Sequence, residues 1–493
     1  MKATHALSHG SIAAGESSTI SLVLRFAADE TAASATPRRA LNLSLVLDRS
    51  GSMGGTPLRQ AIKSAKALVD ELGDKDRLSV VTFDDEIDTL VAPALVTDKA
   101  GIKGAIDRVR AGGTTNLCGG WERGGSLVQA HFSQEQVNRV LVLTDGHANV
   151  GTTDTPTLVK LAQERAATGV ATTTLGFGTS FNEDLLIGMA RAGDGHYYYI
   201  ESHEDLSQVF RIELEGLSSV CAQNLQVRIE PASAVSNVEV LSLYRSVSEG
   251  RAQKVTVGDV ASVEDKVLAL DLSVTPTAQG PLPLCTVHYS YRVPEEGGAR
   301  EVTGQLTVSA QAVAKDDATT TPDTAVLGEA IRRRVAKVKE QAVELSDAGK
   351  HKEAGQQLSA LAETLRASPL ANQFEFAEEV ELLSHFAERL GSGSFDSVLR
   401  KELRDQSYQA GTRSRGIAAA LQFVGRFAMV DIFAVSIIVS VMAASTVGQG
   451  DNPGPAVVET ITQLRSGFYL FVVYVLLSFA IDVALSLRAR APG

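Results

Sequence analysis

The sequence predicts an α/β protein: a doubly wound, mostly parallel sheet, followed by an antiparallel β-sandwich, a helical region and two transmembrane helices. Three observations carry this. Between residues 41 and 217, β-rich apolar runs alternate with amphipathic stretches. From 221 to 310 the apolar period becomes two, with Gly, Pro and acidic turns between short runs. Beyond 427 lie two long apolar runs, each broken by one charge.

Residues 1–38 hold one alternating run, TISLVLRF (19–26), followed by the polar stretch AADETAASATPRRA. That run reads as a strand joining the sandwich, which makes the α/β segment 41–217 an insertion. Within 41–217 the strands LNLSLVLD, LSVVTFDD, VNRVLVLTDG, VATTTLGFG and HYYYIES alternate with helices over 58–72, 100–109, 157–168, 183–191 and 202–217. Such alternation builds a parallel sheet with helices on both faces, and its binding sites lie at the carboxyl ends of the strands. The sandwich spans 221–310, as in LQVRIEP, KVLALDLSV and CTVHYSYRV. A polar linker (311–324) leads to a helical region over 325–410, with a hairpin turn near Ala348-Gly349 and a break at Ser368-Pro369.

The segment 416–493 reads as a membrane hairpin with spans at 427–445 and 467–487, each long enough to cross a bilayer. Arg413, Arg415 and Arg426 precede the first span, and Arg488 and Arg490 follow the second. The intervening loop holds Asp451, Glu459 and one Arg. The positive-inside rule then places both termini, with everything before the hairpin, in the cytoplasm. Cys118, Cys221 and Cys285 are too few and too scattered for a disulfide or zinc framework, consistent with a reducing compartment. The first 18 residues contain no apolar core of a signal peptide. A net charge of −12 argues against a nucleic-acid partner.

The chemistry concentrates at DRSGS, residues 48–52, where an apolar strand ends in one carboxylate and two hydroxyls at alternate positions: Asp48, Ser50 and Ser52. Desolvating such a tip is costly unless the oxygens are bound. All are hard donors, suited to Mg²⁺, Mn²⁺ or Ca²⁺ rather than zinc. Asp145, in LTDG at a neighbouring strand tip, supplies a second carboxylate, and the loop GGTTNL (112–117) a further hydroxyl. Few negative ligands would leave the ion electrophilic, with a position open to an external carboxylate. An isolated DxSxS reads equally well as a helix N-cap, with Ser52 ahead of Pro57.

The three pieces in this order resemble the von Willebrand factor A domain, over about 41–215. The resemblance implies a doubly wound, Rossmann-like sheet with a metal-ion-dependent adhesion site at its top. It implies Asp48, Ser50 and Ser52 as metal ligands, a Thr from the second loop, and Asp145 as the third-loop carboxylate. Thr115 matches the second-loop position, with Thr114 as the alternative. The implied activity is divalent-cation-dependent binding of a protein whose Asp or Glu completes the coordination.

Other residues have plainer readings. His147 is an exposed loop residue and Cys118 a small buried one. Asp84-Asp85-Glu86 is a solvated turn, and Tyr197-Tyr198-Tyr199 a strand with mixed faces. No P-loop, local Ser-His-Asp signature or HExxH is present, so no catalytic residue is expected and the chain reads as a non-enzyme.

In the hairpin, Asp431 and Asp482 lie within apolar runs, where a carboxylate faces either the interface or a protein partner. GRFAMVDIF (425–433) resembles the start of the penultimate helix of paraquat-inducible protein A. That resemblance implies a transport or lipid-trafficking role; the polar membrane residues of the hairpin are Arg426, Asp431 and Asp482, and a homo-oligomer formed through the two helices would rebuild the four-helix bundle of that family. The expectation overall is a binding module anchored in a bacterial inner membrane. The alternative is a regulatory or structural component of a transport system.

Overall fold

The first 27 residues contribute three strands, β1 (Lys2–Leu7), β2 (Ser11–Ala13) and β3 (Ser18–Ala27), where the sequence predicts one. In β3, Ile20, Leu22, Leu24 and Phe26 alternate and are fully buried. β1 is largely exposed and β2 has three residues, so neither carries a readable apolar period. The computed structural model describes residues 1–28, 38–178, 180–200, 206–295, 298–318, 321–391 and 397–413. All of these fall in one compact unit, Met1–Gly425.

The α/β segment runs β4 (Leu41–Asp48), α1 (Thr56–Glu71), β5 (Arg77–Phe83), β6 (Ile87–Leu95), α2 (Lys99–Ile106), α3 (Leu117–Ala130), β7 (Val137–Thr144), α4 (Thr155–Ala167), β8 (Ala171–Phe177), α5 (Glu183–Ala192), β9 (Tyr197–Ile200) and α6 (Leu206–Ser218). Its sheet has the order β6-β5-β4-β7-β8-β9. All pairings are parallel except β5–β6, which is antiparallel. The chain winds outward from β4 one way and from β7 the other. The strand order therefore reverses between β4 and β7, and a crevice opens at their carboxyl ends. β4 and β7 are buried at every position, as central parallel strands must be.

Two elements here escaped the sequence reading. β6 is an edge strand carrying Asp88 and Pro93, residues that discourage further pairing. α3 is glycine-rich (LCGGWERGGSLVQA) and resembles a loop in sequence. The glycines are there for close approach. A Cβ at Gly120 would lie 2.6 Å from the Phe83 ring, and one at Gly124 2.5 Å from Val46 Cγ2. α3 thus lies directly on the sheet, held by the fully buried Trp121, whose Nε1 donates to Thr172 Oγ1 at 3.0 Å.

After α6 come β10 (Val220–Pro231), β11 (Val235–Val240), β12 (Arg245–Glu249), β13 (Ala252–Ala261), β14 (Lys266–Val274), β15 (Gly280–Glu295) and β16 (Gly298–Val313). With β1–β3 they form two sheets, ordered β1-β3-β14-β11 and β12-β13-β10-β15-β16-β2. Apart from a short parallel β2–β16 contact, the pairings are antiparallel. Leu22, Leu24 and Leu270 of one sheet share a hydrophobic cluster with Val227, Val255 and Val287 of the other. β3 pairs with β14 along its length, so strands from both sides of the α/β segment meet in one sheet.

Four helices follow: α7 (Thr324–Asp347), α8 (His351–Arg366), α9 (Phe374–Gly391) and α10 (Ser397–Thr412). α7 and α8 turn at Ala348-Gly349, where Gly349 adopts φ +76. α10 covers the free edge of β9. Tyr408 Oη accepts from Tyr197 N at 3.1 Å, and Gln409 Nε2 donates to Tyr197 O at 3.2 Å. Upstream, Arg400 pairs with Glu183, Asp184 and Asp347, Lys401 with Glu183, and Arg404 with Asp184 and Glu340.

Among the described residues, no helix is long and apolar enough to cross a membrane. The expected spans 427–445 and 467–487, with Arg426, Asp431 and Asp482, lie outside the described residues.

Tyr408 tests the docking of α10. Tyr408→Phe leaves the Tyr197 N–H without its acceptor and should cost about 1–3 kcal/mol in urea unfolding. Tyr408→Ala also empties a fully buried ring site and should cost roughly 3–5 kcal/mol. Unchanged stability in both would mean that α10 does not cap this edge.

Candidate metal centre

Asp48 is the last residue of β4 and has no exposed surface. Its position follows from the strand itself. Leu45, Val46 and Leu47 are locked in the sheet core, and the chain must turn where the apolar run stops. Asp48 Oδ1 accepts from Ser50 N at 2.8 Å, closing a tight turn. Asp48 Oδ2 accepts from Thr144 Oγ1 at 2.5 Å, across the crevice from the end of β7. Ser50 and Ser52 follow, with their Oγ atoms 3.1 Å apart. Ser52 Oγ donates to Asp145 Oδ1 at 2.7 Å. The N-cap reading of Ser52 does not hold, because α1 begins after Gly55 and no hydroxyl caps it.

The second loop approaches from the side. Thr115 is buried, whereas Thr114 is exposed and donates its backbone N–H to Asp85 Oδ1 at 3.2 Å. Thr115 is clasped by the third loop. Its N–H donates to Asn149 Oδ1 at 2.8 Å, and its carbonyl accepts from Asn149 N at 3.0 Å and Val150 N at 3.2 Å. Gly146 shows where the hydroxyls point. A Cβ there would stand 3.4 Å from Thr115 Oγ1 and 3.5 Å from Ser52 Oγ. One small region therefore gathers the oxygens of Asp48, Ser50, Ser52, Thr115 and Asp145.

Burial raises both carboxyls. Asp48 is pushed up to about 6, chiefly by loss of solvent and further by the Asp145 charge; the hydrogen bonds from Ser50 and Thr144 oppose the rise. Asp145 is also raised by burial, against the hydrogen bond from Ser52. Two desolvated carboxylates facing one another are what a cation would relieve. The donor set consists entirely of hard oxygens, with no thiolate or imidazole, and it fits a divalent ion of the Mg²⁺, Mn²⁺ or Ca²⁺ class. Among the described residues, no group of three or more His, Cys, Asp or Glu side chains forms another metal cluster.

Sequence reasoning missed three supporting residues. Thr144 holds Asp48, and only its place before Asp145 hinted at it. Asn149 fixes Thr115 from a loop with no readable pattern. Asp84, expected in a solvated turn, is buried. Its Oδ2 lies 3.2 Å from Arg49 Nε, and its carbonyl accepts from Asn116 N at 2.8 Å, so it ties the first loop to the second. The signal was its place directly after β5, a strand buried from Leu78 onward. Tyr197 and Tyr198 lie on opposite faces of β9 and both are buried, Tyr197 against Tyr408 of α10 and Tyr198 against α6, where its hydroxyl donates to Glu213. His147 is exposed and Cys118 buried.

Residues 42–212 match the model of the von Willebrand factor type A domain. An uncharacterized Synechocystis protein, sll0103, is 30% identical over 283 residues, covering 56% of this chain and 67% of that protein. The chain belongs to the von Willebrand factor type A family. Domains of this family are metal-dependent adhesion and protein-interaction modules. The uncharacterized Escherichia coli protein YfbK is 28% identical over 246 residues, 48% of this chain and 42% of that protein. A solved von Willebrand factor type A structure from Catenulispora acidiphila overlays with a TM-score of 0.62. It covers 84% of this chain and 97% of that one at 17% identity, a likeness of fold that extends beyond the α/β segment.

The raised Asp48 carboxyl makes a pH prediction for the ion-free protein. Between 3.8 and about 6 the folded state binds more protons than the unfolded state. Stability therefore falls as pH rises through that window and stays low above it, by at most about 3 kcal/mol. In EDTA at pH 7.5, Asp48→Asn should unfold later than wild type, by about 1–3 kcal/mol, and the gap should close by pH 4. Equal stability at both pH values would mean that Asp48 is not desolvated.

Proposed function

We propose that this chain recognises a protein partner through a divalent cation held at the β4–β7 crevice. The observation that carries this is the gathering of two buried carboxylates and three hydroxyls at the reversal point of the sheet. Asp48, Ser50, Ser52 and Thr115 would hold the ion, with Asp145 contributing directly or through water. Thr115 is favoured over Thr114 because its hydroxyl faces Gly146 and Ser52, while Thr114 is exposed beside Asp85. Mg²⁺ is the natural occupant, with Mn²⁺ or Ca²⁺ as substitutes; the ion supplies a Lewis-acidic position that accepts an Asp or Glu of the partner. The protein's own part is positional. Thr144, Asn149 and Asp84 hold the three loops, and Gly146 leaves the outer face open.

The two antiparallel sheets, sharing one core, read as a single β-sandwich that carries this head. The apolar runs at 427–445 and 467–487, with arginines on their outer flanks, support anchoring in a bacterial inner membrane with both termini cytoplasmic.

Crosslinking pull-downs from solubilised membranes test the reading. A partner should be captured by wild type in Mg²⁺, and lost in EDTA and in the Asp48→Ala/Ser50→Ala double variant. The same partners in every lane would refute it. Gly146→Val places a branched side chain between Thr115 and Ser52. It should weaken Mn²⁺ binding at least tenfold by calorimetry while unfolding like wild type in EDTA. Thr115→Val should do the same and Thr114→Val should not.

A further inference from the structure

A second polar centre lies where the α/β segment, the two antiparallel sheets and α10 meet. A cavity of ≈ 50 Å³ there opens past the partly exposed side chains of Arg245 and Asp194. A single water needs about 10–15 Å³ on this scale, so the space takes about three waters or one tetrahedral oxyanion. Four cationic side chains line it, each from a different element: Arg139 of β7, Arg191 of α5, Arg245 of β12 and Lys266 of β14. Two carboxylates, Asp194 and Asp259, share the lining.

Each cation has a carboxylate within 4 Å, but two guanidinium donors are left without an acceptor. Arg139 is 1% exposed; it donates to Asp194 O at 3.2 Å and Asp259 Oδ2 at 3.1 Å, and its Nε has no hydrogen-bond partner. Arg191 engages Glu340 through both terminal nitrogens, and its Nε is likewise unpartnered. Lys266 is 4% exposed, and its ammonium stands 3.6 Å from Glu264. Arg245 stands 3.8 Å from Asp194 and donates to Thr256 Oγ1 at 3.4 Å. A buried guanidinium N–H without an acceptor costs free energy that an incoming oxyanion would recover. Asp259 is already committed to Arg139 and to Asn224 N. Asp194 is the repulsive element, held in a left-handed backbone at φ 51 with its carboxyl pushed up to about 6, chiefly by burial.

We infer that this junction binds a phosphate-class dianion through Arg139, Arg191, Arg245 and Lys266. The source is either free phosphate or a phosphoryl group whose remainder leaves through the mouth beside Arg245. Neither the metal centre nor its proposed partner is involved.

The test is calorimetry and thermal unfolding of the full-length chain with inorganic phosphate, against sodium chloride at equal ionic strength. Phosphate should bind and raise the unfolding temperature beyond the chloride control. Two substitutions at the mouth should move affinity in opposite directions. Arg245→Gln removes a donor and should weaken binding at least tenfold. Asp194→Asn removes the repelling charge, is tolerated at that backbone angle, and should tighten binding severalfold. A residue that only shaped the fold would weaken binding in both. Displacement of phosphate by phosphoserine marks a phosphoryl ligand, and failure to displace it marks the free ion. The absence of a phosphate-specific effect, or equal affinity in wild type and both variants, overturns the assignment.

Discussion

The candidate metal centre depends on one hydrogen bond, from Thr144 Oγ1 to Asp48 Oδ2 across the top of the sheet. It joins the ends of β4 and β7, the two strands between which the winding reverses. The helices that follow these strands, α1 and α4, pack on opposite faces of the sheet, so the loops alone close the gap above it. Because Asp48 has no exposed surface, its charge must be met by groups the fold supplies: the Ser50 N–H, the Thr144 hydroxyl, and whatever occupies the crevice. The Ser52–Asp145 hydrogen bond then brings the third loop to the first. Asn149 brings the same loop to Thr115. Three loops are thus set by three short polar contacts, each anchored on a strand or helix end that cannot shift without disturbing the core.

The α/β segment was legible because its central strands are buried on both faces and show as unbroken apolar runs. The motif residues were legible because chemistry this dense at strand ends is rare. The glycine-rich helix α3 was not legible, because its composition answers a packing demand. Gly120 and Gly124 exist to admit Phe83 and Val46, neighbours that only the fold brings near. β1 and β6 were missed for the opposite reason: edge strands bury one flank at most and lose their period. Asn149 could not be read because its partner, Thr115, is 34 positions away along the chain, and the Arg49 contact of Asp84 spans 35 positions.

A second polar network lies under the opposite side of the sheet. The Glu213 carboxylate accepts from Thr173 Oγ1, Tyr198 Oη and His196 Nδ1 at 2.6–2.8 Å. Burial raises it, but the contact with His196 and the nearby charges of Arg139 and Arg413 outweigh that and hold it ionised, well below the usual carboxylate range. Burial and the Arg413 charge hold His196 down to about 4, so at neutral pH it is an uncharged imidazole donating from Nδ1. Arg413 packs over the Tyr198 ring and stands 3.3 Å from Glu264 in the turn before β14. One chain of charges therefore runs from the core of the α/β segment to the antiparallel sheets.

That network adds polar contacts to the apolar ones by which the parts meet. Apolar contacts tolerate sliding, whereas buried ion pairs and hydrogen bonds fix a register, because each misplaced group is left unsatisfied. α10 follows the same logic: Arg400, Lys401 and Arg404 engage acidic residues of α5 and α7, and Tyr408 and Gln409 complete the hydrogen bonding of β9. Arg413, the last described residue of this stretch, is itself buried in the network. Through α10 it is thus joined to the sheet that carries Asp48.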